Sequence, residues 1–219
     1  GSVRIAQKLG IEKYKNFLNA LGITKRIEFD IHEIGNPAKL QWGKCKLATT
    51  SFGHGISTTL IQLAKAYAII SNGGLSINPT LIINRDNNSN NRILRKEVSD
   101  QMNNILRKIV STKEGTASFA NIPGYEVGGK TGTAQKVING VYTNEKVNTF
   151  ASIFPTSDPK FVLAILLDEP RPNKEYVYNY KDGSGWKYKG NWRNTAGWTT
   201  VEVAGKIIEK IGPILAIKY

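Results

Sequence analysis

The sequence predicts a mixed α/β fold of the α+β kind. Residues 1–120 read as a mainly helical lobe, and residues 121–219 as an antiparallel sheet with a helix laid on it. Three observations predict this. Leu60, Leu63, Ala64 and Tyr67 recur at helical spacing. From Tyr125 the texture changes to extended runs, "VGGKTGTAQKVI", "VNTFASIF" and "KFVLAILLDE", with Asn139-Gly140 as a strong hairpin turn after the first. Near the end, Val201, Ala204, Ile208 and Ile211 restore a helical stripe. There are no internal repeats, so the two halves read as two lobes of one domain, 1–219.

Taken in order, residues 3–21 read as one helix with Tyr14, Phe17, Leu18 and Leu21 on a stripe and Gly22 as the stop. Residues 22–56 read as irregular, broken by Gly35, Pro37 and Gly43. "STTLIQLAKAYAIISNGG" reads as a helix capped by Ser57 or Thr58 and ended by Asn72-Gly73-Gly74. "LSINPTLII" is a short extended segment, and "NRDNNSNNR" a polar hairpin tip. Residues 97–111 form a helix with Val98, Met102, Ile105 and Ile109 on one face. The near-continuous apolar run "KFVLAILLDE" predicts a central strand covered on both faces. "YNYKDGSGWKYKGNWRNTAGW" reads as a long aromatic loop, and the last helix runs from Thr199 to Ile211, ended by Pro213.

Composition bounds the function classes. A hydrophobic content of 40% over 219 residues supports an ordinary core, and no run reaches the ~20 apolar residues of a membrane helix. The start, Gly1-Ser2-Val3-Arg4, carries no secretory leader, and Gly1-Ser2 reads as a remnant of tag removal with natural sequence upstream. Cys45 is the only cysteine, so no disulfide forms within the chain, and it reads as a half-buried small residue. Thirty Lys and Arg against 17 Asp and Glu give a net charge of +13. The cations are scattered, with no run of five, in a chain rich in Lys, Asn and Ile. That points to composition rather than to a nucleic-acid surface. No metal and no cofactor are expected.

The chemistry concentrates at Gly128-Gly129-Lys130-Thr131-Gly132-Thr133. On a strand, Gly132 leaves the edge clear for a flat ligand, Thr131 and Thr133 offer hydroxyl donors, and Lys130 supplies positive charge. An unpaired edge also offers N–H groups to an extended peptide. Together these suit a peptide ending in a carboxylate, and a strand N–H would serve in an oxyanion hole. "GGKT" also resembles the tail of a phosphate-binding loop, but no apolar strand precedes it and no helix follows.

Lys130-Thr131-Gly132 resembles the third signature of the penicillin-binding proteins and serine β-lactamases, whose other signatures are Ser-x-x-Lys and Ser-x-Asn. "EGTASFANIPGYEVGGKTGTAQK", "SFGHGISTTLIQLAKAYAIISNGG" and "VNTFASIFPTSDPKFVLAILLDEP" are similar, in that family's order, to segments of its class B members. "LLDEP" and the stretch containing Tyr142 lean toward the cell-division branch. The resemblance implies a D,D-transpeptidase that cross-links peptidoglycan stem peptides through a serine acyl-enzyme and that β-lactams acylate. It implies that Lys130 polarises the site, that Thr131 and Thr133 bind the terminal carboxylate, and that the Thr133 N–H is an oxyanion donor.

The family pattern also implies a nucleophile upstream of these motifs, and none is found there. Ser157-Asp158-Pro159-Lys160 and Ser184-Gly185-Trp186-Lys187 match Ser-x-x-Lys in letters but lie downstream of Lys130, without a helix start. Ser89-Asn90-Asn91 matches Ser-x-Asn inside a polar loop. The chain therefore reads as the C-terminal part of a transpeptidase domain, inactive alone and lacking the first strands of its sheet. An exposed sheet edge invites self-pairing into a dimer. The implied partners are stem peptides, β-lactams and other cell-division and cell-wall proteins. The implied setting is the periplasmic face of an inner membrane, reached through a segment outside this chain. The rival readings are a non-catalytic penicillin-recognising sensor and a basic nucleic-acid-binding domain, the latter resting on the charge and on Tyr176, Tyr178, Tyr180, Trp186, Tyr188 and Trp192. His54 reads as part of a tight glycine turn and His32 as a surface residue. Asp168 and Glu169, adjacent on a strand, are expected on opposite faces and so not to act as a pair.

Overall fold

Gly10, at φ 81°, breaks the first helical run in two. In the computed structural model, which describes residues 1–31, 41–83, 88–179, 185, 187–191 and 193–218, it separates α1 (Ser2–Leu9) from α2 (Ile11–Ala20). The single helix expected over 3–21 is thus corrected. Left-handed backbone is open to glycine and ends a helix wherever it occurs. The chain divides into two units, Gly1–Ser99 and Asp100–Tyr219.

In the first unit a helix absent from the sequence reading, α3 (Lys44–Thr50), follows Gly43. It is anchored by the Tyr14 hydroxyl, which donates to the Thr50 carbonyl at 3.0 Å. Cys45 on α3 is exposed rather than half-buried. The cap of α4 (Leu60–Ser71) is Thr59, not Ser57 or Thr58. Thr59 closes a capping box with Gln62, and the fully buried Gln62 amide also donates to the Lys25 carbonyl at 2.6 Å. Leu21, Ala66 and Ile69 form the core of this unit. β1 (Leu75–Ile77) and β2 (Asn88–Arg92) pair as an antiparallel hairpin whose tip, residues 84–87, lies outside the described residues.

α5 (Lys96–Ser111) buries Ser99, Asn103, Leu106 and Val110, one residue round from the stripe expected, and Ile105 is 52% exposed. Ser99 explains the rotation. Its hydroxyl donates to the Ile70 carbonyl at 2.5 Å and accepts from the Gly73 N–H at 3.0 Å, so a polar residue is stably buried.

The second unit is a meander of three antiparallel strands, β3 (Gly128–Ile138), β4 (Val141–Phe154) and β5 (Phe161–Asp168), in the order β3-β4-β5. Asn139 (φ 53°) and Gly140 (φ 79°) make the two-residue type I′ turn read from the sequence. β4 is central. β5, expected in the centre, stands at an edge among the described residues, with Leu166 42% exposed. Its apolar run reflects packing against α6 (Thr200–Lys218) rather than burial on both sides. Phe150, Val201, Ala204 and Ile208, all fully buried, join Phe119, Ile122 and Phe154 in the core between sheet and helix.

Two further expectations are corrected here. Parts of the expected aromatic loop are strand, β6 (Asn173–Asn179) pairing with β7 (Lys187–Asn191), while residues 180–184, 186 and 192 lie outside the described residues. The Tyr176 hydroxyl lies 2.9 Å from Lys206 Nζ on α6. The side chains of Tyr178, Tyr180, Trp186, Tyr188 and Trp192 lie outside the described residues. Pro213 sits inside α6 rather than ending it. Gly212 packs flush on Tyr125, where a Cβ would lie 2.4 Å from the ring, and Leu215 packs against the core, so packing holds the helix through the proline. Among the described residues no helix is long and apolar enough to cross a membrane.

Candidate active site

β3 carries the whole Gly-Gly-Lys-Thr-Gly-Thr run along a sheet edge. Strand alternation places Lys130 and Gly132 on one face and Thr131 and Thr133 on the other. Thr131 pairs with Phe150 and Thr133 with Asn148, so the two hydroxyls share the face that packs on α6. The glycines have distinct causes. A Cβ at Gly129 would lie 2.6 Å from the Phe150 ring, and one at Gly132 would lie 2.5 Å from Thr149 Oγ1. Gly132 therefore accommodates its cross-strand neighbour as well as leaving the edge clear.

Each functional group has a defined partner. Lys130 Nζ donates to the Thr131 carbonyl at 2.8 Å and reaches Thr131 Oγ1 at 3.4 Å. Thr131 Oγ1 lies 3.0 Å from Thr116 Oγ1. Thr133 Oγ1 accepts from the Ala196 N–H at 3.0 Å. The 3-10 turn that carries Ala196, residues Ala196–Trp198, runs close under Thr116, since a Cβ on Gly197 would meet the Thr116 carbonyl at 2.7 Å. Trp198 packs edge-on against Phe119 at 5.1 Å. Neither Thr116 nor the 194–199 segment stands out in the sequence, because they lie 15 and 63 residues from the threonines they bond.

The letters from Gly124 to Thr131 also satisfy the spacing of a phosphate-binding loop. The fold excludes that reading, since Lys130 lies within an eleven-residue strand that leads to a hairpin and not to a helix.

The Ser157 match to Ser-x-x-Lys is committed elsewhere. Its N–H donates to Glu126 Oε2 at 3.2 Å, and hydrogen bonds from Ser157 hold the Glu126 carboxyl below its ordinary range, the side-chain bond contributing most. Lys160 Nζ pairs with Asp158 at 2.8 Å. Ser184 and His32 lie outside the described residues, as do the side chains of Ser89 and Asn90. His54 sits between Gly53 (φ 91°) and Gly55 (φ 68°) in the turn after α3. Asp168 and Glu169 do converge, contrary to expectation: Lys136 Nζ lies 2.8 Å from Asp168 and 2.6 Å from Glu169. Glu169 has φ 51°, so alternation fails at the strand end and both carboxylates turn to one cation. Among the described residues no group of three or more His, Cys, Asp or Glu could hold a metal.

Residues 1–199 match the sequence model of the penicillin binding protein transpeptidase domain. The chain belongs to that family. It is 31% identical over 230 residues to a probable peptidoglycan D,D-transpeptidase FtsI of Caulobacter vibrioides, covering 100% of this chain and 36% of that protein. It is 32% identical over 200 residues to an FtsI homolog of Mesostigma viride, covering 78% of this chain and 33% of that one. The chain thus spans about a third of the length of these curated relatives. Penicillin-binding protein 3 of Mycobacterium tuberculosis, solved with ampicillin, superposes with a TM-score of 0.76 at 25% identity, over 96% of this chain and 48% of that one. The transpeptidase domain of Burkholderia pseudomallei penicillin-binding protein 3 shares the fold, with a TM-score of 0.76 at 24% identity over 96% of this chain and 61% of that domain.

Proposed function

We propose that this chain is the C-terminal part of the transpeptidase domain of a peptidoglycan D,D-transpeptidase of the cell-division type, and that it supplies the carboxylate-binding half of the active site. The observation that carries the reading is the pair of hydroxyls of Thr131 and Thr133, on one face of an edge strand beside the Lys130 cation. A stem peptide or a β-lactam adds along the edge of β3, its carboxylate accepting from the two hydroxyls. Gly132 leaves room at that edge. Lys130 polarises the site, and the Thr133 N–H stabilises the oxyanion as an activated serine from upstream attacks the scissile carbonyl. The acyl-enzyme forms on that serine, outside these 219 residues. The parent enzyme works at the septum with other cell-wall proteins, on the periplasmic face of the inner membrane. Lys160 is paired with Asp158, and Ser157 does not open a helix, which supports the expectation that this chain alone is not acylated.

The deciding experiment is the intact mass of the chain after incubation with a reactive penicillin. An unchanged mass is expected, with acylation appearing in an upstream-extended chain. A stoichiometric adduct on the 219-residue chain would show that a downstream serine is the nucleophile and would overturn the reading. The edge of β5 that faces no other strand among the described residues, apolar from Val162 to Leu167, is proposed to pair with a second copy of the isolated chain, which a monomeric elution volume would refute.

A further inference from the structure

Asn148 is fully buried at the centre of β4, two residues from Phe150 on the same apolar face. A carboxamide there is costly unless its hydrogen bonds are made. Its Nδ2 donates to the Asn194 carbonyl at 2.7 Å and to Thr199 Oγ1 at 2.8 Å. Its Oδ1 has no hydrogen-bond partner among the described residues. Its two donors both hold one segment, residues 194–199.

That segment returns to the strand beside Asn148. Lys146 Nζ donates to Asn194 Oδ1 at 2.7 Å, and the Thr199 hydroxyl donates to the Thr195 carbonyl at 3.1 Å. Between these ties, the Ala196 N–H points at Thr133 Oγ1. Thr133 is itself the cross-strand partner of Asn148. A closed ring results, running from Thr133 across the ladder to Asn148, on to the Asn194 carbonyl, and back through the Ala196 N–H.

The ring has a chemical consequence for Thr133. A hydroxyl has one proton and two lone pairs. A backbone N–H can only donate, so it occupies a lone pair and never receives the Thr133 proton. The O–H is left for an acceptor other than that N–H, on a residue that is itself exposed at the strand edge. A carboxylate, which is charged and accepts through both oxygens, is favoured there over an amide, which accepts only through an uncharged carbonyl oxygen.

We propose that Asn148 is a positioning residue: by pinning the 194–199 segment it aims the Ala196 N–H at Thr133 and so fixes the Thr133 hydroxyl as a donor to an anionic ligand terminus. The ligand class rests on the proposed function, but the positioning does not. The two are separable in one experiment, NMR of the 219-residue chain with and without an N-acylated D-Ala-D-Ala peptide or its C-terminal amide.

Without ligand, Asn148→Leu is expected to move the Ala196 amide proton upfield and to speed its exchange at least tenfold, as Thr133→Val does. An Ala196 amide unchanged by Asn148→Leu overturns the proposal. With ligand, the parent chain is expected to prefer the carboxylate peptide over the amide by about tenfold, the worth of one charge-assisted hydrogen bond. Asn148→Leu and Thr133→Val each reduce that preference to about threefold or less, and the double variant reduces it no further. A purely structural role for Asn148 would lower the unfolding midpoint and leave the carboxylate-to-amide ratio where it was, which also overturns the proposal. Lys146→Met loosens the same segment at Asn194 and keeps the test open if Asn148→Leu does not fold; the same Ala196 shift, smaller in size, is expected. If the parent chain shows no preference between the two peptides, the functional reading fails while the Ala196 amide still decides the positioning.

Discussion

At its base, the β3–β4 hairpin pairs Gly129 with Ser152 and Thr131 with Phe150, and Ser152 and Phe150 are fully buried. At its tip, the same two strands pair Val137 with Tyr142 and Ile138 with Val141, all four more than half exposed. On β3, glycines are thus set in the interior and aliphatic residues in water, within one continuous strand. The tip residues suit a twisted strand pair and hold the register of the Asn139-Gly140 turn. The base residues answer to close packing and to hydrogen bonds. On β3, hydrophobicity alone would assign the two ends the wrong way round, whereas on β4 Phe150, Ile153 and Phe154 mark the base. Burial follows what lies across the sheet, here Phe119, Val201 and Ile208 over the base.

The largest test of this contrast is Phe150→Ala. It is expected to cost about 3–5 kcal/mol in urea unfolding, since the ring is fully enclosed. A loss near that of a surface substitution would mean the base is not the core. Gly129→Ala comes next, at about 1–3 kcal/mol, because its Cβ would sit 2.6 Å from Phe150 and 2.7 Å from the Ala151 carbonyl. At the tip, Gly140→Ala meets nothing within 4 Å, so its cost is the backbone term alone, about 1 kcal/mol at φ 79°. Equal costs for Gly129→Ala and Gly140→Ala would erase the distinction between steric and conformational glycines.

Lys136 lies between the two ends, and its effect is read in pH. Hydrogen bonds to Asp168, then to Glu169, raise its pKa above the ordinary value. A raised folded-state pKa gives stability that is fully present below the unfolded value of about 10.4 and is lost as pH rises through the folded value. Lys136→Met should therefore lower stability slightly at neutral pH, where the contribution is fully present, and flatten the alkaline limb, so that the variant converges on the parent as pH rises through the folded value. An unchanged alkaline limb would show that the pair contributes nothing in solution. The smallest effect is expected of Val141→Thr at the tip, within about 0.5 kcal/mol by thermal unfolding.

How much of this was legible depended on distance along the chain. The β3–β4 hairpin could be read because Asn-Gly fixes its turn locally, and Lys130, Thr131 and Thr133 could be placed because they sit on that hairpin. The break at Gly10 could not, because an isolated glycine in a helical run is tolerated at a cost of only about 1 kcal/mol. Thr59 was missed because three adjacent hydroxyl residues offer the same cap and only the pairing with Gln62 selects among them. The face of α5 was misjudged by one residue because the partners of Ser99 lie 26 and 29 residues away. The edge position of β5 and the convergence of Asp168 and Glu169 depend on topology and on one positive φ, neither of which hydropathy encodes. Asn148 gave no signal, since a lone asparagine in a strand reads as surface until its partners 46 and 51 residues on are seen.

The ring through Asn148 also sets an order of assembly. The β3-β4-β5 meander is built from neighbours joined by short connections, and such local contacts form early at little entropic expense. The Ala196–Thr133 bond joins residues 63 apart and depends on α6 having docked. Folding should therefore pass through a transition state with the hairpin formed and the 194–199 segment loose. Substitutions at the Asn139-Gly140 turn would then slow folding, and Thr199→Val would chiefly speed unfolding. The sheet that presents the site comes first, and the hydroxyl that gives it polarity is set last.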